Sequence, residues 1–195
     1  MFNSFSRRRI VKVAIGFVAG IACIVQTQTI MQAQSTDGVI TNGIYTIRSL
    51  GTTPGPDYLD GRTGNGMVGL APTFTGGFTG ARWQIVKRGS YYTIRSCGTT
   101  PGPDYLDGRT ANGTVGLAPT YTGGFTGATW SIIFTGTYFV IRSNGIIIPR
   151  YIYLDGRTAN GTVGLIIPPS SFERGFTGAR WSITRTNESC PGRPG

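Results

Sequence analysis

The sequence of 195 residues contains no histidine. Histidine is the side chain that titrates nearest neutral pH, and the commonest general base and metal ligand. Without it, Ser-His-Asp and Cys-His nucleophile arrangements are excluded. Acidic residues are also few, eight against 18 Lys and Arg. Three of them, Asp60, Asp107 and Asp155, recur as a threefold set, whereas acid–base catalysis uses an asymmetric pair of groups with separated pKa values. The chain is therefore read as no enzyme, with no cofactor and no metal site. Beyond residue 12 there is no block of basic residues, the usual footprint of nucleic-acid binding, so no nucleic-acid partner is expected. Outside the N-terminus no stretch carries the 3.6-residue apolar period of a helix. Glycine is abundant instead, at 31 residues, and points to turns and strands.

The N-terminal segment has a composition of its own. Arg7, Arg8 and Arg9 precede a mostly apolar run from Ile10 to Val25 that only Lys12 interrupts. Ala33 supplies a small residue for cleavage, so residues 1–33 read as a signal peptide. The run Ser6-Arg7-Arg8-Arg9-Ile10-Val11-Lys12 resembles the bacterial twin-arginine pattern. The uninterrupted apolar stretch is shorter than the roughly 20 residues of a spanning helix. Membrane contact is expected only through this segment, and the mature chain is expected to be exported, periplasmic or extracellular. Cys23 sits in a poor lipobox, because Leu is missing three places before it. Two cysteines remain beyond the signal, Cys97 and Cys190. In an oxidising compartment they can pair and pin the tail to the second repeat, or they can stand as separate thiols.

One phrase occurs three times. It begins YLDGRT at Tyr58, Tyr105 and Tyr153, and closes on Trp83, Trp130 and Trp181. Leaders YTIRS, YTIRS and FVIRS begin at Tyr45, Tyr92 and Phe139, a spacing of 47 residues. Each unit divides into four short apolar segments with period-two alternation, separated by turn clusters such as Gly51–Pro56 and Asn65-Gly66. In the first unit these are Ile44 to Ser49, Tyr58 to Asp60, Met67 to Leu70 and Arg82 to Val86. A single unit cannot bury its apolar face, so three must close on one another. The reading is all-β: a β-trefoil of twelve short strands over residues 43–186, with repeats 43–86, 87–133 and 134–184. Residues 34–42 form a polar lead-in, and 187–195 a tail.

The repeat resembles the ricin-type lectin unit. Leu59-Asp60, Val68-Gly69-Leu70 and Ala81-Arg82-Trp83 stand where that family has its apolar-Asp pair, its x-V-x-L strand and its closing Q-x-W. Leu106-Asp107 with Ala128-Thr129-Trp130, and Leu154-Asp155 with Ala179-Arg180-Trp181, occupy the same places. The likeness covers residues 43 to 184. It implies a trefoil fold and glycan or polysaccharide partners. The chain departs from the pattern at the Gln of Q-x-W, which is Ala in every copy. Ala71, Ala118 and Ile166 stand at the family's aromatic platform, and Gly80, Gly127 and Gly178 at its sugar-contacting amide. Of that family's galactose site, only Asp60, Asp107 and Asp155 carry over.

Two roles are open to these aspartates. A carboxylate accepts sugar hydroxyls while a nearby aromatic stacks on the C–H face. Alternatively it accepts backbone N–H groups in its own turn, or pairs with Arg62, Arg109 or Arg157. Phe74 and Tyr121, in Gly/Thr-rich loops, are the aromatics expected to be exposed for stacking. Trp83, Trp130 and Trp181 are expected in the core, and Phe78, Phe125 and Phe176 as loop anchors. Arg48, Arg95 and Arg142 should face solvent. Asp57 and Asp104 add a carboxylate that the third unit lacks. The expected function is an exported, non-catalytic carbohydrate-binding module with up to three weak sites. Sites one and two should be alike, with the third altered by Ile146 to Arg150 and Ile166 to Arg174. The alternative is an extracellular protein-interaction or inhibitor trefoil that uses the third-repeat insertion.

Overall fold

A computed structural model describes residues 38–145, 152–167 and 176–191. The signal segment with Cys23, most of the third-repeat insertion and the last residues of the tail lie outside them. The described residues are all-β. The strands are β1 (Gly43–Ser49), β2 (Tyr58–Arg62), β3 (Met67–Ala71), β4 (Arg82–Arg88), β5 (Tyr91–Ser96) and β6 (Tyr105–Arg109). They continue as β7 (Thr114–Ala118), β8 (Trp130–Phe134), β9 (Phe139–Ser143), β10 (Tyr153–Arg157), β11 (Thr162–Ile166) and β12 (Trp181–Arg185). The alternating segments fall within these strands, which run one or two residues further at several ends. A single turn of 3-10 helix precedes the last strand of each unit, at Thr79–Ala81, Thr126–Ala128 and Thr177–Ala179. Among the described residues no helix is long and apolar enough to cross a membrane.

The pairings divide the twelve strands into two sets. Six close a ring, β1 to β4 to β5 to β8 to β9 to β12 and back to β1. The other six form three hairpins, β2–β3, β6–β7 and β10–β11. Those hairpins pair with one another through β3, β7 and β11. The backbone repeats the same bond at each junction: Leu117 N–H donates to Gly66 O, Leu165 to Gly113 O and Leu70 to Gly161 O, at 2.8 to 2.9 Å. Each hairpin turns at Asn-Gly. Gly66, Gly113 and Gly161 have φ near 70°, a conformation that costs glycine nothing. The preceding Asn65, Asn112 and Asn160 side chains each accept the N–H two residues on.

The core lies where ring and hairpins meet. Ile47, Ile94 and Ile141 from the leaders join Leu59, Leu106 and Leu154 from the hairpins, all fully buried. Trp83, Trp130 and Trp181 are fully buried as well. Each indole N–H donates to a backbone carbonyl two strands back, Leu59, Leu106 or Leu154, at 2.7, 2.8 and 3.0 Å. A large apolar ring is thereby buried without stranding its polar atom. The lead-in contributes more than expected. Ile40 is buried in the same core, and Asn42 accepts the Lys87 N–H at 2.8 Å. The polar surroundings of Ile40 in sequence hide the single apolar residue that packs.

The leader serines tie the units together. Ser49 bonds to Gly156 O, Ser96 to Gly61 O and Ser143 to Gly108 O, at 3.1, 2.9 and 3.4 Å. Each serine thus joins the end of one leader to the Asp-Gly strand of the preceding unit, and Ser49 joins the first unit to the third.

Candidate functional site

Asp60 follows the core residue Leu59 on β2, so it leaves the strand on the opposite face. Its Oδ2 accepts a bond from Arg62 Nε at 3.4 Å. Asp155 pairs with Arg157 at 3.4 Å and Asp107 with Arg109 at 3.7 Å. Arg62 and its counterparts are half-exposed, while the carboxylates lie low between strand and loop. Among the described residues no backbone N–H reaches the three carboxylates. Of the turn-stabilising roles considered, only the arginine pairing is present. Burial pushes the carboxyls of Asp60, Asp107 and Asp155 above their ordinary value, and the neighbouring guanidinium offsets part of that shift.

The 3-10 turn forms the lid over each carboxylate. A Cβ on Gly80 would run into Gly61 O and Asp60 Oδ1, and Gly127 and Gly178 face the same atoms in their units. Glycine at the position of the family's sugar-contacting amide is therefore a packing requirement. The turn brings Phe78 to the rim, 40 % exposed, with Phe125 at 39 % and Phe176 at 42 %. These three were expected to anchor the loop. The structure instead leaves them partly exposed, while tight backbone contact at Gly80, Gly127 and Gly178 holds each turn.

Phe74 and Tyr121 are placed elsewhere. Phe74 packs half-buried on Tyr58 with centroids 5.3 Å apart, and Tyr121 on Tyr105 at 5.2 Å. Arg48 and Arg95 cover the same tyrosines and pair with Asp57 and Asp104 at 2.7 and 3.0 Å. The carboxylates of Asp57 and Asp104 are thus engaged by arginine, away from Asp60. Arg88 stacks on Tyr121 at 5.2 Å.

In the first repeat an open cleft of about 340 Å³ gathers Asp60, Arg62, Asn65 and Phe78. Its far wall is Thr99 and Thr100, which belong to the second repeat. A matching cleft of about 340 Å³ gathers Asp155, Arg157, Ile166 and Phe176, walled by Thr52 and Thr53 of the first repeat. The clefts lie at the seams that the leader serines tie. Sequence reasoning missed Phe78 and its counterparts as rim residues, and missed the Thr-Thr wall. The signal for the phenylalanines was present: GFTGA occurs in all three copies, whereas Phe74 and Tyr121 have no partner in the third.

The Thr99–Thr100 wall is itself held from behind. Cys97 and Cys190 sit side by side in a disulfide, Cα atoms 4.8 Å apart. Arg82 bonds Glu188 in the tail at 2.7 Å.

No family model matches the chain, and no curated protein does. Solved structures match its fold. A GlcNAcα1-4Gal releasing endo-β-galactosidase from Clostridium perfringens aligns at TM-score 0.57 and 17 % identity, over 77 % of this chain and 34 % of the enzyme. The chain thus spans about a third of that enzyme's length. A Culex salivary protein of the Cysteine and Tryptophan-Rich family aligns at 0.55 and 19 %, over 80 % of this chain and 99 % of its own. The Polyporus squamosus lectin, bound to the epitope Neu5Acα2-6Galβ1-4GlcNAc, aligns at 0.54 and 18 %, over 75 % of this chain and 50 % of the lectin. At these identities the likeness is one of fold.

Proposed function

We propose that this chain is an exported, non-catalytic β-trefoil that binds carbohydrate through the seam clefts at Asp60 and its counterparts. The observation that carries the reading is a buried carboxylate beside an exposed aromatic in an open polar cleft. Asp60 is 7 % exposed and its burial disfavours the charged form, while Phe78 above it is 40 % exposed. A charge that costs stability, and recurs three times, fits a ligand-binding role. Its acceptor oxygens suit sugar hydroxyls, and the ring suits a C–H face. The fold shared with a glycan-bound lectin supports the same reading by analogy.

Export rests on the charged and apolar signal segment, and the pairing of Cys97 with Cys190 suits an oxidising compartment. Several shallow sites on one chain would gain by avidity. A glycan array and pull-downs on insoluble polysaccharides test the proposal. Binding to at least one glycan, weakened by Phe78→Ala with Phe176→Ala, is expected. Failure to bind any sugar would sink it.

A further inference from the structure

The seam clefts do not divide as the repeats do. The second wall of each comes from the leader loop of the next unit, and those loops differ in sequence. The first unit has Gly51-Thr52-Thr53-Pro54, the second Gly98-Thr99-Thr100-Pro101, and the third Gly145-Ile146-Ile147-Ile148. The first unit's loop faces Asp155 and the second's faces Asp60. The third unit's loop begins beside the second unit's hairpin and turn: a Cβ on Gly145 would contact Thr110 and the Gly127 backbone. Its isoleucines lie outside the described residues. The described geometry therefore supplies the hydroxyl wall to two clefts.

The loops that carry those threonines are anchored at their bases. Gly98 N–H donates to Ser96 Oγ at 3.1 Å, and Gly51 N–H donates to Ser49 Oγ at 3.2 Å. Gly51 and Gly98 pack directly on the Thr158 and Thr63 side chains of the neighbouring unit. Thr100 packs on Gly64 across the cleft. Thr52, Thr53, Thr99 and Thr100 themselves remain exposed. The threonines thus stand on loops anchored at their bases and line the same clefts as Asp60 and Asp155.

We infer that the Thr52–Thr53 and Thr99–Thr100 pairs are specificity elements, and that the clefts of Asp155 and Asp60 form a matched pair distinct from that of Asp107. This rests on the carbohydrate reading above and deepens it. The ligand is a neutral pyranose held by two edges. The carboxylate accepts hydroxyls on one edge, the threonine pair bonds the other, and the phenylalanine lies against a C–H face. The second unit has the carboxylate of Asp107 and Phe125, but the leader loop that follows it carries Ile146 and Ile147 in sequence where the others carry the threonine pair.

The amides of Thr79–Ala81, Thr126–Ala128 and Thr177–Ala179 report the three clefts separately in a nitrogen–proton NMR spectrum. The wild-type chain is titrated with galactose, N-acetylglucosamine and mannose, each to high millimolar concentration. With at least one sugar, the 79–81 and 177–179 amides should move with the same affinity, and the 126–128 amides should respond several-fold more weakly. Thr99→Val with Thr100→Val should weaken the 79–81 response about tenfold and leave 177–179 unchanged, consistent with loss of one or two hydrogen bonds. Serine at both positions should restore it. Three equal responses, or responses indifferent to the valine pair, would overturn the inference while leaving the carbohydrate reading standing. No response at any turn with all three sugars would overturn both.

Discussion

The tryptophan corner and the aspartate–arginine pair of the cleft lie on opposite faces of the same short strand, and both recur in all three repeats. At the corner everything is satisfied. Trp83 is buried, and its N–H bonds to Leu59 O at 2.7 Å. At the cleft, one residue further on, burial raises the pKa of a carboxylate, and its partner is an arginine half in solvent. Recurrence alone cannot tell the two apart. Their energetics can, since the corner stabilises the ring and the cleft taxes it.

The comparison breaks first at the corner. Trp83→Ala should cost about 3–5 kcal/mol and leave much of the chain unfolded in a thermal melt. Removal of the disulfide, as Cys97→Ser with Cys190→Ser, should cost about 2–4 kcal/mol. Its further signature is local, with faster hydrogen exchange in residues 97–100 and none at residues 50–53. Gly80→Ala sits between the two regions. Its Cβ meets the Asp60 carboxylate and the Gly61 carbonyl, and a cost of about 1–3 kcal/mol in denaturant titration is expected. The smallest effect belongs to the cleft. Arg62→Ala removes a part-buried pair whose arginine is half in solvent, and should change stability by about 1 kcal/mol.

The pH dependence sharpens the contrast. Burial raises the folded-state pKa of Asp60, Asp107 and Asp155 above the ordinary carboxylate value. The folded chain then holds these protons more tightly than the unfolded one. Their contribution is present below the ordinary carboxylate value and is lost as pH rises through the raised one. The triple variant Asp60→Asn, Asp107→Asn, Asp155→Asn should have a flatter stability profile over that window. It should match or exceed the wild type near neutrality.

Much of the architecture was legible because local patterns and repetition agreed. Alternation marked the strands, Asn65-Gly66 marked a hairpin, and the spacing of Trp83, Trp130 and Trp181 marked three units that must bury one another. Ile40 was not legible, since it and its neighbour Val39 in a polar stretch carry no period. The cleft was half legible. Asp60 and Arg62 are neighbours in sequence and were found together. Phe74 and Phe78 look alike in a glycine-rich loop, and only the packing of Phe74 on Tyr58 and the tight turn at Gly80 separate their fates. Thr99 and Thr100 approach Asp60 from the next repeat, a contact made by closure of the ring and written in no local pattern.

The central claim is that the aspartates are kept for binding at the expense of stability. One paired measurement tests it most directly: the melting temperature at pH 7 and the glycan-array profile of the wild type against the triple Asp→Asn variant. The account predicts an equal or higher melting temperature together with at least tenfold loss of glycan signal. A lower melting temperature with undiminished binding would contradict it and make the aspartates structural.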